Sequence, residues 1–133
     1  RARKTGGDAS MTYVGGEVVL DQTLIEDLRG TKHEALGELV AACDAVGRRL
    51  QTADADDRLA ASYPFLTMLS VATCGWLLER EASEAGDDAV GKAKKAVVAF
   101  YLDQIVPEAM GLRAAAEAPA TALYALEAEA FAA

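Results

Sequence analysis

The chain has 133 residues, the length of a single domain that can bury a core without a metal or a disulfide. The chain has 13 Lys and Arg residues, scattered singly or in pairs, and 21 Asp and Glu residues, which gives a net charge of −8. This charge argues against nucleic acid and membrane as partners. Cys43 and Cys74 have no CxxC or metal-ligand spacing, so the sequence predicts reduced thiols and a cytoplasmic protein. No secretory signal is visible, and the chain starts at Arg1 without a Met, which leaves open that it is part of a longer protein.

The first 20 residues are poor in apolar side chains and rich in glycine. Residues 1–16 contain four glycines and are predicted to form an irregular, flexible arm. Residues 11–20 permit a hairpin turning at Gly15-Gly16. The apolar spacing of residues 17–28 instead favours a helix that begins at Glu17 and stops near Gly30. We expect the helix.

A second helical pattern starts at Thr31, where the spacing to Glu34 is that of a capping box. Its apolar positions recur at steps of three and four residues and form one seam, namely Leu36, Leu39, Val40, Cys43, Val46 and Leu50. The pattern predicts helix over residues 17–51, broken at Gly30 if a new helix starts at Thr31. Asp54 and Asp57 are then placed to cap the next helix.

The most apolar stretch of the chain, residues 63–78, carries no charge. It predicts the middle of a helix over residues 55–85 that is buried on nearly every side, because an all-round apolar helix must be surrounded. Its length of roughly 24 Å is short of a bilayer. Asp88, after Gly86, is predicted to cap the helix that follows.

Two more helices are predicted towards the C-terminus, over residues 88–116 and 119–127. Pro107, like Pro64 earlier, lies inside a helical pattern and is expected to disturb it. Leu123, Leu126 and Phe131 are the side chains expected to anchor the short closing helix.

Reactive groups are scarce in this sequence. A ferritin-like di-iron site needs Glu-x-x-His, but position 30 is Gly. His33, with Lys32 before it and Gly37 one turn later, loosely matches a histidine phosphotransfer domain, although an ordinary exposed histidine is favoured. The aspartate pairs fall at predicted helix starts and are interpreted as caps. We therefore predict no catalytic, cofactor-binding or metal-binding residue in this chain.

Several segments in the same order resemble the C-terminal helical domain of bacterial acyl-CoA dehydrogenases, in particular the 3-methylmercaptopropionyl-CoA dehydrogenase-like group. The matching segments are Arg3-Lys4, Tyr63-Pro64-Phe65-Leu66, Gly75-Trp76-Leu77-Leu78, Phe100-Tyr101, Ile105-Val106-Pro107, Gly111-Leu112 and the tail from Leu123 to Phe131. Cys74 stands where that family more often has a small residue.

The resemblance implies a parent flavoprotein that removes hydrogens from Cα and Cβ of an acyl-CoA, with FAD taking the hydride and a glutamate taking the proton. That glutamate belongs to a Tyr-Glu-Gly-Thr segment, which this chain lacks. Residues 1–16 would then be an arm or linker from an upstream catalytic domain, and residues 17–133 a helical bundle domain.

We therefore expect an all-α, antiparallel four-helix-bundle-like domain with a buried central helix. Its expected role is packing against the catalytic domain of the parent dehydrogenase and fixing a homo-oligomer. The alternatives are a phosphotransfer-type signalling bundle using His33 and a stand-alone helical interaction domain.

Overall fold

The structure, a computed structural model, describes residues 12–14, 17–19 and 22–131. The described part is helical apart from one short hairpin, so the predicted all-α, bundle-like fold is confirmed. The elements are β1 (Thr12–Val14), β2 (Glu17–Val19), α1 (Gln22–Leu28), α2 (Glu34–Thr52), α3 (Ala55–Ser83), α4 (Ala89–Phe100), a π turn (Tyr101–Ile105), α5 (Val106–Met110), α6 (Arg113–Glu117) and two 3-10 segments (Ala120–Tyr124 and Ala128–Phe131).

The N-terminal hairpin corrects the expectation of a helix from Glu17. Strands β1 and β2 pair antiparallel, with Thr12 opposite Val19 and Val14 opposite Glu17. The sequence places β-formers on both sides of Gly15-Gly16, and this local preference outweighs the helical spacing of Val18 with residues 24–28. The rest of the predicted arm lies outside the described residues.

The connection from α1 to α2 confirms the break at Gly30 but not the capping box. Glu34 is the first residue of α2 rather than its third, so its carboxylate cannot reach back over the turn. The Thr31 hydroxyl instead donates to Glu79 of α3 at 2.5 Å and accepts from the His33 amide. The Lys32 amide also donates to Glu79, at 2.9 Å. Glu79 therefore holds this turn against α3.

Helix α2 is built as its sequence predicts. All six residues of the predicted seam are buried, and the helix ends at Thr52. It packs against α3 and α5, while Ile25 and Leu28 of α1 are fully buried. Leu36 approaches α3 closely, since a Cβ built on Gly75 would lie 3.1 Å from its Cδ1 atom. The core of the bundle thus lies between α2 and the inner face of α3, with α1, the π turn, α5 and α6 packed around them.

Helix α3 is the long central helix, but it is not surrounded. The Asp54 carboxylate caps its start by accepting from the Asp57 amide at 2.8 Å, as predicted. The helix continues through Pro64 without interruption. Its inner face is buried at Ala61, Pro64, Phe65, Met68, Leu69, Ala72 and Gly75. Large apolar side chains on its outer face remain exposed, so the expectation of a helix buried on nearly every side is wrong.

The predicted helix over residues 88–116 is broken into three helices and a π turn. Asp88 caps α4 as predicted, because its carboxylate accepts from the Gly91 amide at 2.8 Å. The π turn ends where the Val106 amide donates to the Tyr101 carbonyl, one residue further than in an α-helix. Pro107 has no amide hydrogen and its ring would crowd the carbonyl of Asp103, which accounts for the wider turn.

The predicted closing helix, residues 119–127, is also wrong. The chain there forms a 3-10 segment over Ala120–Tyr124 and a second one over Ala128–Phe131. The segment is anchored at its start, where the Ala120 amide donates to the Asp57 carboxylate at 2.7 Å. Beyond Ala120 every described residue is exposed, so this segment adds nothing further to the core.

Candidate functional site

The outer face of α3 carries a line of residues that no other described element covers. They recur every three or four residues, and this spacing places them on the same face of the helix. Leu59 is 70% exposed and Tyr63 is 76% exposed. We call this line the α3 stripe, and its members are Leu59, Tyr63, Leu66, Ser70, Cys74 and Leu77, all exposed. The stripe is an apolar surface on the longest helix of the molecule.

Helix α4 lies at the edge of the bundle and buries very little of itself. Gly91 and Val98 are its buried residues. Gly91 lies against the Gly86 carbonyl, and the helix as a whole packs on α3. Five other residues of this helix are exposed, and we call this set the α4 face: Ala89, Ala93, Ala96, Val97 and Phe100. Two of them, Ala93 and Val97, also border the groove between α4 and α3. Phe100 is 62% exposed to solvent and Val97 is 64% exposed. Because α4 buries only Gly91 and Val98, most of its apolar surface remains exposed.

A shallow apolar groove separates α3 from α4. It has a volume of about 360 Å³ and is lined by Leu78, Glu81, Val90, Ala93, Lys94, Val97 and Val98. Lys94 and Glu81 form an exposed ion pair across it at 3.5 Å. Such a pair contributes little to stability, because both groups are hydrated and screened. The groove therefore runs between the C-terminal part of α3 and helix α4.

The C-terminal 3-10 segments present a further group of exposed apolar side chains. Leu123, Leu126 and Phe131, which the sequence analysis expected to anchor a closing helix, are all exposed, as is Tyr124. Short 3-10 turns stack side chains poorly, so this segment cannot bury them against itself. It lies near the N-terminal end of α3, where Ala120 meets Asp57.

His33, the residue of the alternative phosphotransfer function, lies at the N-cap of α2. Its Nε2 atom is 3.2 Å from the Asp103 carboxylate in the π turn, and its Nδ1 atom is buried without a hydrogen-bond partner. A phosphoryl acceptor needs a ring nitrogen open to solvent. One nitrogen is engaged and the other is enclosed, and this geometry disfavours the phosphotransfer function.

The two cysteines lie in different environments. Cys43 is fully buried in α2, and burial raises the pKa of its thiol to about 12. Cys74 is exposed on the α3 stripe. Tyr101 of the π turn donates its hydroxyl to the Val71 carbonyl at 3.3 Å. Burial, with a smaller contribution from neighbouring Cys74, raises the pKa of the Tyr101 hydroxyl above its usual value. Because its thiol is buried and has a raised pKa, Cys43 is a core residue rather than a nucleophile.

Residues that could carry other chemistry have structural partners. Asp54 and Asp88 are helix caps, as predicted. The indole of Trp76 lies 4.7 Å from the guanidinium carbon of Arg80, a cation–π contact rather than a platform for a cofactor. Within residues 12–14, 17–19 and 22–131, no three His, Cys, Asp or Glu side chains are grouped to hold a metal ion.

The length and composition of α3 are also those of a membrane-spanning helix. It is the one such helix in the part of the chain that the structure describes, and the mean hydropathy of its most apolar 18 residues is 1.3. Core helices of soluble proteins meet the same criteria, and the inner face of α3 is packed against α2 and α6. The helix thus combines one face in the core with one face that is open.

Among the described residues, the most developed surface feature is the exposed apolar area on α3 and α4. A family model described as acetyl-CoA dehydrogenase C-terminal like matches residues 15–127. The chain belongs to this family, and it is an accessory domain of the kind found at the C-terminus of acyl-CoA dehydrogenases. Comparison with curated proteins and with solved structures returns no match.

The family match confirms the resemblance to the C-terminal domain of acyl-CoA dehydrogenases, and it implies association with a catalytic dehydrogenase domain. The 3-methylmercaptopropionyl-CoA dehydrogenase-like subgroup stays a prediction. Sequence reasoning missed the α3 stripe, because Leu59, Tyr63 and Leu77 look like core residues in an apolar run. Ser70, on the same face as these residues, was the sign that this side of the helix is open.

Proposed function

We propose that this domain packs against the catalytic body of an FAD-dependent acyl-CoA dehydrogenase and helps to hold its oligomer together. The parent enzyme oxidises acyl-CoA to 2-enoyl-CoA, and this domain contributes packing rather than catalysis. The single observation that carries the proposal is the apolar surface that the bundle leaves exposed on α3 and α4. Contiguous apolar surface of this kind marks an interaction site.

The α4 face is the surface we assign to the catalytic body. Phe100 and Val97 are large, exposed and one turn apart, with alanines beside them that permit close approach of another helix. Covering an exposed Val or Phe removes apolar area from water, which is worth about 1–2 kcal/mol each before the costs of association. A large fixed partner would also stabilise a helix that buries only Gly91 and Val98 in its own domain.

The chemistry of the parent enzyme is assigned to residues outside this chain. FAD and the glutamate that takes the α-proton would belong to the catalytic body. We place the assembly in the cytoplasm, with neither nucleic acid nor membrane as a partner, because the net charge of −8 repels both phosphate backbones and anionic lipid.

The genomic sequence upstream of Arg1 is the first test. We expect a flavin-binding dehydrogenase body that carries a Tyr-Glu-Gly-Thr-like segment before the Arg3-Lys4 pair. A gene that encodes only this helical domain would instead support a stand-alone interaction domain.

A binding measurement is the second test. The FAD-loaded catalytic body, produced without its own helical C-terminal domain, is mixed with this chain, and sedimentation velocity follows the flavin absorbance. We expect a complex that Phe100→Glu weakens about tenfold or more, because a charge would be buried at the contact. Tyr124→Glu is the matched control, since Tyr124 is as exposed as Phe100 but lies off the α4 face. Equal binding by all three chains would contradict the proposal.

A further inference from the structure

Helix α4 is the one element with a net positive charge in the part of the chain that the structure describes. It contains three of the chain's five lysines, Lys92, Lys94 and Lys95, and no acidic residue. The whole chain, by contrast, has a net charge of −8. The helix that we assign to the catalytic body therefore differs in the sign of its charge from the molecule that carries it.

These lysines are badly placed to stabilise α4 itself. They lie in its first two turns, near the positive end of the helix dipole, where acidic residues are favourable and cations are not. Lys92 and Lys95 are three residues apart, a spacing at which two like charges on a helix repel each other. A helix of 12 residues that buries only Gly91 and Val98 has little stability to spare. The lysines are therefore better explained by a contact outside the helix than by the helix.

The three lysines differ in the carboxylates that the domain offers them. Lys94 pairs with Glu81 of α3 at 3.5 Å, on the side of α4 that faces the groove. Lys95 pairs with Asp87 at 2.9 Å, and the Asp87 side chain is 94% exposed. Lys92 is exposed and has no ion pair with any residue that the structure describes. Lys92 is therefore the cation of this helix that is free to pair with a carboxylate of another domain.

Lys92 borders the α4 face. It lies one helical turn from Ala89 and from Ala96, both members of that face, and about 80° around the helix from Phe100. The aliphatic part of a lysine is long and flexible, so its ammonium group can reach over a neighbouring surface. A partner that covers Phe100 and Val97 would therefore bring its own edge within reach of Lys92.

We propose that the surface of the catalytic body that receives α4 is an apolar patch bordered by a carboxylate, and that this carboxylate pairs with Lys92. The inference deepens the proposed function and rests on it, since it states the chemistry of the partner at the α4 face. A carboxylate is needed because covering an unpaired ammonium group removes part of its hydration. The pair would lie at the rim of the contact, so it would contribute mainly to the rate and specificity of association.

Crosslinking of the intact parent enzyme tests the pair directly. A water-soluble carbodiimide activates a carboxylate, and a lysine amine in contact with it displaces the activating group as a urea and forms an amide. The linked peptides are identified by mass spectrometry. We expect Lys92 to be linked to an Asp or Glu of the catalytic body. Lys94 is the matched control on the same helix, because its expected link is to Glu81 of its own domain. Absence of any link from Lys92 to the body would overturn the inference.

Binding of the FAD-loaded catalytic body at low and high salt is the second measurement. Lys92→Gln should raise the dissociation constant about threefold at low salt and less at high salt, because salt screens a pair at the rim. Lys94→Gln removes the same charge from the groove side of α4 and should leave the dissociation constant nearly unchanged. Equal effects of the two substitutions would overturn the inference. The proposed function would survive that result, because flavin would still sediment with the chain and Phe100→Glu would still weaken the complex.

Anionic lipid is the other surface that a basic, apolar helix face can fit. The net charge of −8 opposes that contact, so we expect the chain to stay in solution when phosphatidylglycerol vesicles are pelleted. Sedimentation with the vesicles that Lys92→Gln abolishes would assign Lys92 to a membrane and overturn the inference.

Discussion

Asp44 is the residue whose protonation most directly affects the stability of the bundle. Its carboxylate accepts from Arg48 at 3.1 Å and from Arg29 at 2.8 Å, so it ties the turn after α1 to α2. The hydrogen bond and charge of Arg48, aided by Arg29, lower the pKa of Asp44 below its ordinary value of 3.8. Folding therefore favours the ionised carboxylate, and the resulting stability is present at neutral pH.

We expect Asp44→Asn to lower the free energy of unfolding at pH 7 by about 1 kcal/mol, a small value because both arginines are half exposed. The contribution should fade as the pH falls below 3.8 and through the lower folded-state pKa, so that variant and parent converge in strong acid. Urea unfolding at pH 7 and near pH 2 measures this. Glu38→Gln, on the exposed side of α2, is the control, and an equal loss in both variants would contradict the role of Asp44.

The two cysteines should differ sharply in reactivity. Cys43 is fully buried with a pKa of about 12, whereas Cys74 is exposed, and only the thiolate attacks a disulfide reagent. We expect one rapidly reacting thiol per native chain and two in denaturant, measured with a chromogenic disulfide. Cys74→Ser should abolish the rapid reaction of the native chain. Two rapid thiols in native protein would mean that the core around Cys43 opens readily.

At the scale of elements, Gly91 fixes how the loop after α3 passes over the start of α4. A Cβ at position 91 would lie 2.0 Å from the Gly86 carbonyl oxygen, and backbone cannot move aside as a side chain can. We expect Gly91→Ala to destabilise the domain by about 2–3 kcal/mol. Gly37→Ala is the matched control within a helix, because its nearest neighbour is the Thr31 methyl group at 3.8 Å. That variant should gain about 0.5–1 kcal/mol from lower backbone entropy. Thermal unfolding should move the two midpoints in opposite directions, and parallel shifts would contradict the close approach at Gly86.

The helices were predictable where local chemistry decides them. Asp54 and Asp88 marked helix starts, and the seam of α2 marked a buried face, because caps and apolar spacing act within a few residues. The prediction of a capping box at Thr31 was wrong because the Thr31 hydroxyl donates to Glu79, which is 48 residues away in the sequence. The prediction of a closing helix was wrong because the Ala120 amide donates a hydrogen bond to Asp57, which is also distant in the sequence. The spacing of residues in the sequence predicts local structure, but it does not predict contacts between residues that are far apart in the chain.

The candidate surface was harder to predict than the fold. An apolar residue in a helix is read as core, yet Tyr63 and Phe65, two residues apart, end on opposite sides of α3. Which side is covered depends on how many other helices pack against α3, and the helices in the described part of the chain cover only one side. The same shortage leaves α4 exposed. The unpartnered faces therefore follow from the size of the bundle rather than from any single motif, which is why the family match was needed to interpret them.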